Sequence, residues 1–166
     1  MKRLLLALPL CAVLAAPAYA ADPKLEGVFT DWTVYSRAEG GDKSCYAVAK
    51  PKTSAPSNVN HGDVHFLVSN WKSGAAKEQP SFLAGYPLKT TRAPKARIGS
   101  SAITMYAADN EAFIESGSDE RSLVGKMRAG ATMRVQAVSA RGTETSYQFS
   151  LKGITAALRK AKTACQ

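Results

Sequence analysis

The segment that most constrains the fold of this 166-residue chain is its last hairpin pattern. Residues 131–140 alternate, with Met133, Val135 and Ala137 on one face and Thr132, Arg134 and Gln136 on the other. Arg141-Gly142-Thr143 turns the chain, and Thr145, Tyr147, Phe149 and Leu151 then share a face opposite Ser146, Gln148 and Ser150. A period of two on both arms predicts an antiparallel pair with one buried face. An isolated hairpin is marginal in water, so that face requires further apolar layers.

Shorter alternating runs supply them. Residues 28–35 place Trp32 and Val34 on one side, residues 45–50 place Cys45, Ala47 and Ala49 together, and residues 64–70 do the same with Val64, Phe66 and Val68. Residues 81–88, 102–107 and the pair Phe113–Ile114 read as further strands. Residues 51–62, 71–80 and 89–97 are polar and read as loops. Two segments read as helix. One is N-capped by Ser118, carries Asp119 and Glu120 in its first turn and Leu123, Val124 and Met127 as an apolar stripe, and stops at Gly130. The other runs from Ile154 toward the end, with Ala157, Leu158, Ala161 and Cys165 on its stripe. The expected fold is mainly β: a single-domain β-sandwich or open barrel of about eight short strands, with one short helix before the last hairpin and a C-terminal helix.

The N-terminus has the layout of a secretory signal. Lys2 and Arg3 precede an apolar run over residues 4–16, and Ala18 and Ala20 sit at the −3 and −1 positions of a cleavage site. Cleavage after Ala20 leaves residues 21–166 as one β-rich domain in the periplasm, outside the cell or on its outer surface. No later run is long and apolar enough to span a bilayer. Cleavage also removes Cys11, leaving Cys45 and Cys165. An even count in an oxidising compartment reads as a disulfide, and the alternative is two unpaired buried thiols. The bridge would close a loop of about 120 residues, worth roughly 5 kcal/mol in the chain-entropy account.

Catalytic patterns are weak. His61 and His65 are spaced for one helix face, but Gly62 and the β pattern that follows argue against a helix, and only Asp63 stands near as a third metal ligand. No Gly-x-Ser-x-Gly elbow is present in the sequence, and a bridged Cys45 is no nucleophile. The acidic residues Asp109, Glu111, Glu115, Asp119 and Glu120 lack the spacing of a calcium loop and read as a solvated edge and helix start. The residues thus suggest neither an enzyme nor a cofactor or metal. Trp71 and Tyr86 are candidate partner anchors, with core packing the ordinary alternative.

Charge is more informative. Lys and Arg total 22 against 13 Asp and Glu, for a formal +9, and loss of Lys2 and Arg3 on cleavage brings it to +7. Lys89, Arg92, Lys95 and Arg97 cluster in an acid-free stretch, and Arg141 lies in the hairpin turn. These five are the candidate anion contacts, facing an envelope polymer, anionic lipid or protein, unless they are merely a solvated basic surface. Export removes the chain from nucleic acid.

The stretch Phe29-Thr30-Asp31-Trp32-Thr33-Val34, then Cys45-Tyr46-Ala47, then Ser139-Ala140-Arg141-Gly142-Thr143 and the run from Tyr147 through Ser150-Leu151-Lys152-Gly153 to Ala157-Leu158 resemble the invasion-associated locus B family of secreted bacterial proteins. The resemblance implies a small exported protein of the periplasm or outer surface, and a role in entry into host cells. It carries over no catalytic residue. Many members have a cysteine just after the Asp-Trp strand and a further pair in mid-chain. Here Tyr35 and Ser36 stand in the first place and residues 95–117 contain no cysteine, which implies a branch with one bridge. The expected function is an exported accessory or binding protein with a basic face for anionic envelope components or a protein partner. The alternatives are a secreted factor contacting host cells and a small periplasmic hydrolase with an unrecognised site.

Overall fold

A computed structural model describes residues 22–166; the expected leader, residues 1–20, lies outside them. The elements are β1 (Lys24–Phe29), β2 (Trp32–Glu39), β3 (Asp42–Ala49), β4 (Thr53–Ala55), β5 (His65–Trp71), β6 (Gln79–Leu83), β7 (Lys95–Ile98) and β8 (Ser101–Thr104). There follow β9 (Tyr106–Ala108), β10 (Glu111–Phe113), α1 (Gly117–Ala129), β11 (Thr132–Val138), β12 (Glu144–Ser150) and α2 (Ile154–Ala164). Two antiparallel sheets form a sandwich. The larger has seven strands in the order β1-β2-β3-β5-β6-β10-β9, and the smaller has five in the order β4-β12-β11-β7-β8. The chain changes sheet between β8 and β9 through Met105, which is buried.

The hairpin of β11 and β12 pairs in full register from Thr132 opposite Ser150 to Val138 opposite Glu144. Its inward residues Met133, Val135, Tyr147 and Phe149 are buried against Trp32, Val34, Phe66 and Phe82 of the large sheet. Three contacts tie sheet to sheet. Phe66 meets Phe149 edge-on with centroids 5.8 Å apart, Phe82 meets Tyr147 at 5.5 Å, and the Trp32 indole N–H donates to the Ser150 carbonyl at 3.0 Å. Such aromatic pairs add roughly 0.5–1.5 kcal/mol each beyond the area they bury.

Both helices lie in the layer of the small sheet. Helix α2 buries Ile154, Ala157, Leu158 and Ala161 and packs on β1, β2 and β3, while α1 buries Leu123, Val124 and Met127 and meets β6 and β7. Helix α2 starts at Gly153, which has a φ of +89°, and a Cβ there would stand 2.0 Å from the Phe29 carbonyl oxygen. Only glycine lets the β1–β2 turn approach the helix start so closely. At the other end Cys165 is bonded to Cys45 of β3, with Cα atoms 5.7 Å apart. The Lys43 ammonium donates to the Ala164 carbonyl at 2.7 Å beside it.

Four details differ from the sequence reading. The described residues contain twelve strands rather than about eight, because the run read as residues 28–35 divides into β1 and β2 at Thr30–Asp31, residues 102–107 divide into β8 and β9 at Met105, and β4 and β7 lie in stretches read as loop. Residues 53–55 are an edge strand on β12 rather than part of a loop. Lys95 and Arg97 are not in a loop; they lie on β7, which pairs with β11. The N-cap of α1 is Ser116, whose hydroxyl accepts from the Ser118 N–H, so the helix begins one residue before Ser118.

Ionisable groups tie the outer elements. Glu26 accepts from Ser36 and pairs with Lys160 of α2 at 3.3 Å, and its carboxyl is held below the usual range first by the Ser36 hydrogen bond and then by Lys160 and Lys24. Asp31 is lowered by Lys52 and Ser150, and Asp42 by Ser73 and the Lys43 N–H. On β5, His65 is lowered by partial burial and then by Lys50, and its Nδ1 is buried without a partner.

Two outcomes follow for stability. Reducing the bridge, or replacing Cys45 and Cys165 with serine, is expected to lower the unfolding free energy by up to about 5 kcal/mol in urea titrations. Acid should destabilise in two steps. A histidine lowered by folding costs stability as pH falls through its ordinary value near ~6.5, and carboxylates lowered by folding cost it below about pH 4. Urea midpoints measured from pH 8 to 3 should show both steps, and His65→Gln should remove the first alone.

Candidate functional site, a basic sheet face

The outer surface of the five-stranded sheet is built by alternation. Lys95 and Arg97 of β7, and Arg134 and Gln136 of β11, all point away from the core. Register then decides their neighbours. Arg97 stands directly opposite Arg134, and Lys95 opposite Gln136; on the other flank Arg134 faces Gln148 of β12. Like charges at directly opposed positions are destabilising, because Cβ atoms there sit only about 5 Å apart. Arg97 is steadied by donating from Nε to the Gln136 side-chain oxygen at 3.0 Å. The two guanidiniums keep unused donors on an exposed, aromatic-free surface of Thr, Ser and Gln.

A shallow groove of about 250 Å³ runs along this face, and Arg92, Lys95, Arg97, Gln136, Glu144 and Thr145 contribute to its walls. The Arg92 guanidinium meets the Glu144 carboxylate at 3.4 Å, closing one end with a salt bridge. Of the five residues singled out in the sequence, Arg92, Lys95 and Arg97 are thus brought together. Lys89 and Arg141 are not part of the groove. They sit at the end of the sheet, where the Lys89 N–H donates to Val138 and the Ala140 N–H to Pro87, both at 2.8 Å. Arg134 completes the cluster. Its outward direction is legible in the period of β11, but its position against Arg97 depends on a strand pairing that no local pattern records.

The histidines serve separate purposes. His61 Nε2 lies 2.9 Å from the Pro56 carbonyl, which can only accept, so Nδ1 accepts from the Tyr147 hydroxyl at 2.7 Å. That hydroxyl lies 2.7 Å from Tyr86, which in turn reaches Thr145. Burial, reinforced by Tyr86, pushes the Tyr147 phenol far above its ordinary value. The chain of contacts satisfies polar groups at the edge of the core and assigns Tyr86 to structure rather than to a partner. His65 is on β5, facing the opposite way. Among the described residues, no group of three or more His, Cys, Asp or Glu is placed to hold a metal ion. The acidic residues are spread over β10, the loops beside it and the first turn of α1. Among the described residues no helix is long and apolar enough to cross a membrane.

Comparison with known proteins bears on this arrangement. The crystal structure of invasion associated protein B from Bartonella henselae is similar to this fold with a TM-score of 0.56 at 12% sequence identity, over 83% of this chain and 96% of that one. At that identity the likeness speaks to the fold alone. No curated protein sequence matches the chain. The sequence matches the family described as Invasion associated locus B (IalB) protein across residues 32–162, from the first core tryptophan nearly to the end of α2. With most of the sandwich inside that match, the chain belongs to the invasion associated locus B family.

Proposed function

We propose that this protein is an exported binding protein rather than an enzyme, and that its basic sheet face engages phosphate- or carboxylate-bearing components of the bacterial envelope. The observation that carries the reading is the direct opposition of Arg97 and Arg134. Side by side they cost stability in the free protein. An anion seated between them offsets that cost and accepts charge-assisted hydrogen bonds from both. Guanidiniums and amides hold a planar anion well, and they do not shuttle protons at neutral pH, which favours binding over catalysis. The layout of residues 1–20 and the Cys45–Cys165 bridge support export to an oxidising compartment. The names of the family and of the Bartonella protein, both of which refer to invasion, favour a second reading, in which the same face meets an anionic host surface.

Each contact on so exposed a face is weak and screened by salt, so affinity comes from several together. The mature protein is therefore expected to co-sediment with vesicles containing phosphatidylglycerol and not with phosphatidylcholine alone. Binding should weaken as salt rises from about 50 to about 300 mM. Arg97→Ser with Arg134→Ser should reduce it about tenfold or more, with the thermal midpoint unchanged or raised by relief of the like-charge pair. Equal binding to neutral vesicles, or no loss in the double variant, would overturn the reading.

A further inference from the structure

The outer face of the seven-stranded sheet has a different chemistry. Neither the small sheet nor either helix lies on it, yet it carries Tyr35, Tyr46, Leu67, Trp71 and Phe113, all only half-buried. A groove of about 380 Å³ crosses it. The registers give its shape. Ser44 pairs with Trp71, Tyr46 with Ser69, Ser69 with Gln79, Leu67 with Ser81, and Ser81 with Phe113. Three serines, Ser44, Ser69 and Ser81, therefore descend one diagonal over three neighbouring strands. At about 7–8 Å per diagonal step, this floor is about 15 Å long.

The flanks follow from the same grid. Tyr46 and Leu67 rise on one side of the diagonal, and Trp71, Gln79 and Phe113 on the other. Glu39 and Glu111 stand at its two ends. Glu39 is paired with Arg37 at 2.9 Å, and the Arg37 Nε is buried without a hydrogen-bond partner. The groove is thus a small hydroxyl floor between apolar walls, with a formal charge of −1 from Arg37, Glu39 and Glu111 in a chain of +9.

We propose that this diagonal trough binds a neutral oligosaccharide, whose ring faces lie on Trp71 and Tyr46 and whose hydroxyls meet the floor and ends. Charge selects against the anions suited to the opposite face, since a negative ligand would meet Glu111. An extended peptide has no sheet edge to pair with at mid-sheet. A second copy would bring together two strongly positive molecules. Saccharide fits what remains, because it is uncharged, rich in donors for carboxylates and acceptors for the part-exposed Arg37 guanidinium, and apolar on its ring faces. The site is separate from the basic face and stands whether or not that face binds anions.

Tryptophan fluorescence tests this directly, because Trp32 is fully buried while Trp71 lines the trough. Tetra-N-acetylchitotetraose and maltotetraose, titrated separately into the mature protein, should give with at least one sugar a saturable change in the millimolar range or tighter. Trp71→Phe should abolish the signal, and backbone NMR shifts should still report binding and fall on β3, β5 and β6. Ser69→Phe, which fills the floor from an outward position, should weaken binding about tenfold or more with an unchanged circular dichroism spectrum. The Arg97→Ser, Arg134→Ser variant should bind the sugar as before. No saturable change with either sugar to about 10 mM, unaltered affinity in Ser69→Phe, or a Trp71 signal that tracks protein concentration and a dimer mass in sedimentation would each overturn the proposal.

Discussion

A five-stranded sheet cannot cover a seven-stranded one. With strands spaced near 4.8 Å, two unmatched strands leave about 10 Å of apolar surface, close to the diameter of one helix. The rest of the molecule answers that mismatch. Helix α2 lies over β1, β2 and β3, where the small sheet does not reach, and α1 fills the space toward β6. Gly153 lets α2 begin hard against the β1–β2 turn, and the Cys45–Cys165 bond fixes where it ends. Once both helices are committed to the inner layer, no element is left to shield the outer side of the large sheet.

The two exposed faces therefore diverge. The small sheet presents Arg, Lys, Gln, Thr and Ser, a surface that water solvates well and that needs no cover. The large sheet presents Tyr, Trp, Phe and Leu around serines, a surface in which neighbouring side chains shield one another incompletely. Their charges are opposed as well, since cations gather on the first and Glu39 and Glu111 bracket the groove on the second. One sandwich thus offers two chemically unlike surfaces back to back.

How much of this the sequence discloses depends on element length. The seven-residue arms of β11 and β12, and the stripes of α1 and α2, repeat long enough to show their period, and their inward faces are the core. Three-residue strands carry no such signal, so β4 reads as loop, β9 reads as a continuation of β8, and β10 shows only as the pair Phe113–Ile114. Residues 89–97 look like a basic loop because Lys89, Arg92, Lys95 and Arg97 surround Pro94 with few apolar residues, and only pairing with β11 makes Lys95 and Arg97 strand residues. The make-up of the outer faces is harder still. Alternation tells that Arg134 points outward, and the family resemblance is carried by scattered pieces. Neither tells that Arg97 lies across from it, nor that Ser44, Ser69 and Ser81 from three separate strands form one line. Those facts belong to register, which is a property of pairs of segments.

The cross-link between β3 and the residue after α2 also gives the molecule a mechanical character. A bond spanning 120 positions turns almost the whole domain into a closed ring. Tension applied between the two ends passes through β1, β2 and that bond instead of through the strands that lie between the two cysteines. Under load only the stretch before Cys45 can be drawn out, at about 3.5 Å per residue, which peels β1 and β2 with Trp32 from the large sheet while the strands from β4 to β12 stay inside the ring. A chain pulled at both ends would lengthen by a fixed amount and stop.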